Sequence, residues 1–125
     1  MNSNNTFKLV SLRGDIEDVL REAQDVFYNV EGGLHCKFAE IRQDLSKFSN
    51  DRNNDDFYPL KIYAENGIEI LVSEVRTGYH SRSSQVLIEI LELAGFTVSQ
   101  SQRDRIYNEP RLSMTIWNER IMQQY

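Results

Sequence analysis

The residues best able to do chemistry concentrate at positions 74–84, in the segment EVRTGYHSRSS. Arginine offers a planar fork of donors that matches phosphate or carboxylate. The segment leads into an apolar helical sequence, and a helix N-terminus attracts anions because its first N–H groups are unpaired. One hypothesis is therefore that the loop 76–84 binds a phosphate-bearing small molecule or nucleotide. Its candidate residues are Arg76, Thr77, Tyr79, His80, Arg82, Ser83 and Ser84.

The same segment is also explained as an ordinary start of a helix. In this interpretation Ser83 or Ser84 caps the helix, Gly78 allows a turn, and the arginines are solvated. No glycine spacing in the chain matches a P-loop or a dinucleotide-binding motif. The sequence leaves both alternatives open.

Catalytic and metal-binding patterns are weak. The one thiol, Cys36, is adjacent to His35, and adjacent side chains on a helix point about 100° apart. Two histidines and one cysteine have no zinc-type spacing. We therefore expect no catalytic residue, metal or cofactor. A remote alternative is a metal-dependent nuclease or hydrolase, because Asp55 and Asp56 with Glu74-Val75-Arg76 weakly resemble its acidic pair plus cation, with arginine in place of lysine.

Charge is distributed unevenly along a chain of net charge −5. Residues 15–69 hold 13 acidic and 6 basic residues, whereas residues 70–125 hold 6 of each, and all the basic residues there are arginines. The acidic half disfavours nucleic acid and suits a basic protein. The preferred hypothesis is a small, acidic, non-enzymatic binding protein of the inhibitor, immunity or regulatory type. Its predicted partner-binding residues, which a solvated face would also explain, are Asp18, Glu22, Asp25, Asp44, Asp55 and Asp56.

The first half of the chain predicts a strand followed by two helices. Alternation suggests a strand at 6–12, and helical spacing suggests a helix at 15–29 with Asp15 as its N-cap. A second apolar stripe with steps of four and three residues predicts another helix at 34–48. The Asn- and Asp-rich segment 49–56 is expected to be an exposed loop.

The second half begins with a hairpin around Asn66-Gly67, a dipeptide that favours the positive φ angles of tight turns. A nearly all-apolar helix at 86–94 ends at Gly95. Segments 96–102 and 112–120 suggest strands. The polar, arginine-rich link between them at 103–111 could contact nucleic acid or a carboxylate-rich partner, or be a solvated hairpin loop. The predicted fold is one α+β domain over 1–125. It has a mixed or antiparallel sheet of about five strands, three helices mainly on one face, and the order β-α-α-β-β-α-β-β.

The cellular compartment and the oligomeric state are predicted from the cysteine count, the N-terminal sequence and the length of the apolar runs. The single cysteine permits no internal disulfide, the N-terminus shows no secretory signal, and no apolar run is long enough to cross a bilayer. We therefore expect a cytoplasmic protein without membrane contact. The apolar run Val86–Leu93 suggests either burial within the chain or a homodimer contact.

Overall fold

The computed structural model describes residues 6–11, 14–29, 35–43 and 58–118. Within these ranges the chain forms five strands, three α-helices and one 3-10 turn, which confirms the α+β class. In chain order they are β1 (Thr6–Leu9), α1 (Ile16–Asn29), β2 (Cys36–Arg42), β3 (Leu60–Ala64), the 3-10 turn (Glu65–Gly67), β4 (Glu69–Val72), α2 (Arg82–Leu93), α3 (Gln100–Asn108) and β5 (Ser113–Trp117).

The five strands form one mixed sheet in the order β1-β4-β3-β2-β5. β1 runs parallel to β4, and the other neighbours are antiparallel. The chain order is therefore β-α-β-β-β-α-α-β, which differs from the predicted order although the class and the mixed sheet are confirmed. The parallel pair continues past the end of β4, where the Ser73 N–H donates to the Leu9 carbonyl at 3.0 Å.

All three helices pack on one face of this sheet, as predicted. Side chains alternate along a strand, so Ala39 and Ile41 of β2 enter the core while Glu40 faces the other side. The core joins one side of the sheet to α1, α2 and α3, and burial of each large aliphatic side chain contributes about 1.5–3 kcal/mol. Fully buried members include Val19, Ile41, Leu60, Ile62, Ile70, Leu87, Ile90, Leu91, Ile106 and Ile116.

The β3–β4 hairpin confirms the turn predicted at Asn66-Gly67. Both residues have positive φ, 64° for Asn66 and 76° for Gly67. The Ala64 N–H donates to the Ile68 carbonyl at 2.8 Å, so the turn contains three residues, Glu65–Gly67, rather than two.

The helix predicted at 34–48 is wrong across 36–42, where the structure has β2. This strand lies between β3 and β5 and pairs with both. Its register shifts between Cys36 and Phe38, and this irregularity leaves the buried residues Cys36 and Ala39 three positions apart. The predicted stripe joined Phe38, which lies on the aromatic face of the sheet, to Ile41, which lies in the core, so apolar residues on opposite faces of a strand imitated the spacing of a helix. The rest of the predicted helix lies outside the described residues.

The strand and polar link predicted at 96–111 are also wrong in part, because residues 100–108 form α3. Ser99 caps this helix: its hydroxyl accepts from the Gln102 N–H at 3.1 Å, and the Gln102 side chain accepts from the Ser99 N–H at 2.8 Å. This Ser-x-x-Gln capping box is visible in the sequence and was the missed signal.

The predicted helix at 86–94 is confirmed as α2, which begins four residues earlier. Val86, Leu87, Ile88, Ile90 and Leu91 are all buried in the core of their own chain. Burial within the chain thus accounts for the apolar pattern. Across the described ranges, no helix has both the length and the hydropathy of a membrane-spanning segment.

Candidate functional site

The loop between β4 and α2 is held down by α3. The Gly78 N–H donates to the Ile106 carbonyl at 2.7 Å, and the His80 N–H donates to the Tyr107 carbonyl at 3.0 Å. The His80 and Tyr107 rings stack with centroids 5.2 Å apart. The His80 Nε2 also lies 2.8 Å from the Asn108 Oδ1. These contacts make the loop a packed part of the fold.

Gly78 is required in this loop for two reasons. Its φ is +88°, a conformation that side chains with a Cβ rarely adopt. A Cβ at this position would also lie 2.7 Å from the Pro110 Cα. The turn predicted at Gly78 therefore has a tertiary cause as well as a local one.

The N-terminus of α2 is capped by Ser81, not by Ser83 or Ser84. The Ser81 hydroxyl accepts from the Ser84 N–H at 3.1 Å, while the Ser84 hydroxyl donates to the Ser81 carbonyl at 2.8 Å. The Ser83 hydroxyl donates to the Glu74 carbonyl at 2.9 Å. The hydroxyls at this helix start are thus engaged with the backbone around them.

Arg82 turns away from the loop and joins two helices. Its guanidinium donates to both carboxylate oxygens of Glu17 on α1, at 2.7 and 3.0 Å. A second carboxylate, Glu89 on α2, lies 3.5 Å from the Arg82 Nη1. The hydrogen bond from Arg82 lowers the pKa of Glu17 below its usual value. The charge that an anion would need is therefore already balanced within the chain.

The other predicted anion-binding residues do not converge on one point. Arg76, Tyr79 and His80 are exposed, whereas Thr77 is buried. The Thr77 N–H donates to the Gln43 side-chain oxygen at 3.3 Å, and Gln43 in turn donates to the Val75 carbonyl at 3.2 Å. Sequence reasoning missed Gln43, since no local pattern connects it to a loop more than thirty residues away.

Two of the acidic residues predicted to bind a partner are engaged by the chain itself. The Glu22 carboxylate accepts from the Val10 N–H at 2.8 Å. Asp18 accepts from the Ser11 hydroxyl at 3.0 Å and pairs with Arg21. Asp25 is exposed on α1. The remaining three residues, Asp44, Asp55 and Asp56, lie outside the described residues. Their role in partner binding stays a prediction.

A groove runs between α1 and α2, with a volume of about 390 Å³. Leu20 and Leu93 supply apolar surface, and the side chain of Tyr28 is 71% exposed. The carboxylate side chains of Glu89 and Glu92 are 46% and 47% exposed, respectively. Each lies close to an arginine of the chain, Arg82 or Arg103. The lining residues are Leu20, Gln24, Tyr28, Glu89, Glu92 and Leu93.

The sequence contained part of the signal for this groove. Leu20, Gln24 and Tyr28 are spaced by four residues, so they share one side of α1. Glu89 and Glu92 are the polar interruptions of the apolar helix α2. What the sequence lacked was the adjacency of the two helices, because Arg82 and Glu17, which link them, are 65 positions apart.

The opposite face of the sheet carries a row of aromatic rings. Strand pairing aligns Tyr63, Phe38 and Trp117 on β3, β2 and β5. The Phe38 ring centroid lies 4.5 Å from that of Tyr63 and 4.9 Å from that of Trp117. Burial, with a hydrogen bond to Glu40, raises the pKa of Tyr63 to about 12. The Phe38 and Tyr63 rings stack, and the Trp117 ring is tilted against Phe38, so the row stabilises the pairing of the three strands.

The thiol predicted to be a weak catalytic candidate is buried in the structure. Cys36 is buried, and burial raises the pKa of its thiol to about 12, so the sulfur is protonated at neutral pH. Among the described residues, no group of three or more His, Cys, Asp or Glu side chains could hold a metal ion.

The structure is a mixed-sheet α+β fold with a groove between α1 and α2 that is lined by both apolar and carboxylate side chains. Searches against protein-family models, curated proteins and solved structures found no match to the chain.

Proposed function

We propose that the protein is a non-enzymatic binding protein that recognises a cationic segment of another protein through the groove between α1 and α2. The observation that carries this proposal is the combination of apolar, aromatic and carboxylate side chains along one groove. It narrows the hypothesis of an inhibitor, immunity-type or regulatory protein to a specific surface. The proposed cytoplasmic location rests on the sequence alone.

The groove chemistry suits lysine and arginine side chains. These residues have long aliphatic stems that pack on apolar surface and a charged end that prefers a carboxylate. Leu93 can receive the stem. The half-exposed side chains of Glu89 and Glu92, which already lie beside Arg82 and Arg103, can share their negative charge with the partner's cation. The exposed ring of Tyr28 adds a surface for a cation–π contact.

The openness of the groove favours a macromolecular partner over a small molecule. Small-molecule sites usually bury 70–90% or more of a drug-sized ligand. Here a main lining residue, Tyr28, has 71% of its surface exposed. Exposed aromatic residues at the centre of a contact patch often contribute most of the binding energy in protein interfaces. We therefore assign Tyr28 as the anchor of the partner contact.

The charge of α1 supports the same choice. The helix carries Glu17, Asp18, Glu22 and Asp25 against one basic residue, Arg21. Even carboxylates that bond to their own chain contribute to the surrounding field, which accelerates association with a cationic partner. Asp18, Glu22 and Asp25 thus act in this proposal mainly through their field, and the direct contacts lie in the groove.

The alternative of an anion site in the loop 76–84 has weaker support. Arg82 is paired with Glu17 and Glu89, and Ser81 occupies the N-terminus of α2. The remote nuclease or hydrolase alternative has no support among the described residues, and its Asp55 and Asp56 lie outside them.

The test begins with native mass spectrometry of the protein purified gently from its own cells, to identify a bound protein. The affinity of that partner is then measured for the wild type, Tyr28→Ala and the control Tyr79→Ala. Both tyrosines are highly exposed, at 71% and 81%, so neither truncation should unfold the protein. We expect Tyr28→Ala to weaken binding at least about tenfold, or about 1.4 kcal/mol, with Tyr79→Ala unchanged.

The opposite result would move the site to the loop. If Tyr79→Ala lost the partner while Tyr28→Ala bound normally, or if a bound small molecule replaced the protein partner, the groove proposal would be wrong. A second readout is ionic strength: affinity should fall as salt rises, because the proposed contacts are partly exposed charge pairs.

A further inference from the structure

β5 lies at one edge of the sheet that the described residues form, and its own sequence carries none of the residues that usually protect an edge. Among the described residues it pairs with β2 alone, and its register there is continuous from Phe38 to Arg42. Natural proteins commonly protect such edges with charged residues, proline or a bulge. The sequence of β5, SMTIW, contains no charge and no proline. The other edge strand, β1, has four residues and carries Lys8.

Two hydrogen bonds show which backbone groups of β5 point outward. The Gln43 N–H donates to the Leu112 carbonyl at 3.0 Å, and the Asn118 N–H donates to the Lys37 carbonyl at 2.9 Å. Residues of an antiparallel strand alternate in the direction of their N–H and C=O groups. Even-numbered residues from 112 to 118 therefore face β2. The backbone groups of Ser113, Thr115 and Trp117 face away from it.

We propose that β5 pairs antiparallel with β5 of a second copy of this chain, around a two-fold axis at Thr115. In this register Thr115 lies opposite Thr115 of the second copy, and Ser113 lies opposite Trp117 of the second copy. Each of these positions has outward backbone groups, so the residues in each pair exchange both hydrogen bonds. The two sheets then form one continuous sheet. This proposal is independent of the function proposed for the groove.

A second copy fits this edge because the strand is complementary to itself. β5 contains no charged residue. Pairing with a second copy therefore places no like charges opposite each other, which would be destabilising. On the core side, Met114 meets Ile116 of the second copy, so two apolar side chains face each other. Ile116 is already 1% exposed in the single chain, so the partly buried Met114 supplies the apolar surface that remains for this contact.

On the face of the sheet opposite the helices, the dimer adds a contact between an arginine and a tryptophan. Arg42 pairs with Ser113 across β2 and β5, so it lies two strands from Trp117 of the second copy. That separation is about 10 Å, within reach of an extended arginine side chain. Trp117 is 52% exposed in the single chain, and its indole can receive the guanidinium through a cation–π contact. α1 contacts β1, which lies at the edge of the sheet opposite to β5. The groove between α1 and α2 therefore stays open in each copy of the dimer.

Analytical ultracentrifugation of the full chain over a range of concentrations tests the proposal. We expect reversible dimers with a Kd of roughly 1–100 µM, because a single strand pair buries less than a standard interface. Emission of Trp117, the one tryptophan of the chain, should shift to shorter wavelength on association. A wild type that stays monomeric at several hundred micromolar would overturn the proposal.

Charge variants at the axis distinguish pairing from misfolding. Thr115 is exposed, so Thr115→Lys and Thr115→Glu should both fold, which circular dichroism can verify. Each variant alone should raise the Kd at least tenfold, because like charges meet at the axis. Mixing the two should restore dimers, now of mixed composition. Dimers that persist in both single variants, or a mixture that stays monomeric while both proteins are folded, would overturn the β5 register.

Discussion

The loop 74–84 and the groove between α1 and α2 differ in how many polar side chains they contain and in how those side chains are presented to solvent. The loop is rich in arginine and hydroxyl groups, yet Arg82 is bound by Glu17 and the backbone is held by Gln43 and α3. Its exposed residues Arg76, Tyr79 and His80 do not converge on one point. The groove contains fewer polar residues, but Tyr28 is mostly exposed and Glu89 and Glu92 are about half exposed. A cluster of reactive residue types indicates a site only when the fold leaves those groups exposed and brings them together.

This comparison predicts that loop substitutions change stability and groove substitutions change binding. If the loop has a structural role, removing its contacts should lower the free energy of unfolding of the protein. A binding groove made of exposed side chains should lose affinity while the fold stays intact. The following predictions test the structural half of that comparison, and Tyr28→Ala tests the other half.

The largest effect is expected for Gly78→Ala. The new Cβ would meet the Pro110 backbone at 2.7 Å with φ at +88°, so we expect a loss of about 3 kcal/mol in the free energy of unfolding. Gly67→Ala is the matched control, because Gly67 also has positive φ, at +76°, but no atom within 4 Å. It should cost about 1 kcal/mol. Urea denaturation measures both, and equal losses would show that packing against Pro110 is unimportant.

A smaller effect is expected for Ser81→Ala. This change removes the hydroxyl that accepts from the Ser84 N–H, and loss of an N-cap costs about 1 kcal/mol. Ser101→Ala, in the exposed first turn of α3, should stay within about 0.5 kcal/mol of the wild type. Thermal denaturation compares the two. If both behaved alike, Ser81 would not be the cap that holds the loop to α2.

The smallest effect is expected for Arg82→Ala, and it should depend on pH. The Arg82 hydrogen bond lowers the pKa of Glu17, so Glu17 contributes stability that is present above its unfolded pKa and lost as pH falls through its lower folded pKa. The variant should therefore be less stable than the wild type near pH 6, and the gap should narrow below the ordinary pKa of 4.5. A gap that stayed constant down to pH 2 would contradict this linkage.

The same variant separates the ion pair from an anion site. Inorganic phosphate should raise the Tm of the wild type and of Arg82→Ala equally, by the general effect of an excluded salt. A stabilisation found in the wild type alone, at low phosphate concentration, would indicate specific binding near Arg82 and would revive the alternative for the loop 76–84.

Secondary structure was predictable where one short segment contained the complete signal. Asn66-Gly67 gave the hairpin, because positive φ is a property of those residues themselves. Asp15 caps α1 as predicted: its carboxylate accepts from the Glu17 N–H at 2.9 Å. β2 was mistaken for a helix because its outer face carries the aromatic Phe38, so apolar residues on both faces hide the alternation of a half-buried strand.

The candidate site was less predictable than the fold class. Residue types directed attention to Arg76–Ser84, whereas the groove depends on how α1 and α2 pack side by side. Tyr28 gave no sequence signal for binding, since an aromatic residue on an amphipathic helix is usually part of the core. Its exposure became evident only once its neighbours were placed.

The sequence by itself determined the α+β class, the acidic charge of α1, the hairpin and the apolar character of α2. These properties depend on composition and on interactions between residues a few positions apart. Tertiary structure alone decided that β2 is a strand between β3 and β5, that Arg82 is bound by Glu17, and that a groove remains open beside Tyr28. The physical reason is distance along the chain: these features join residues far apart in sequence, and local periodicity carries no information about which of them meet.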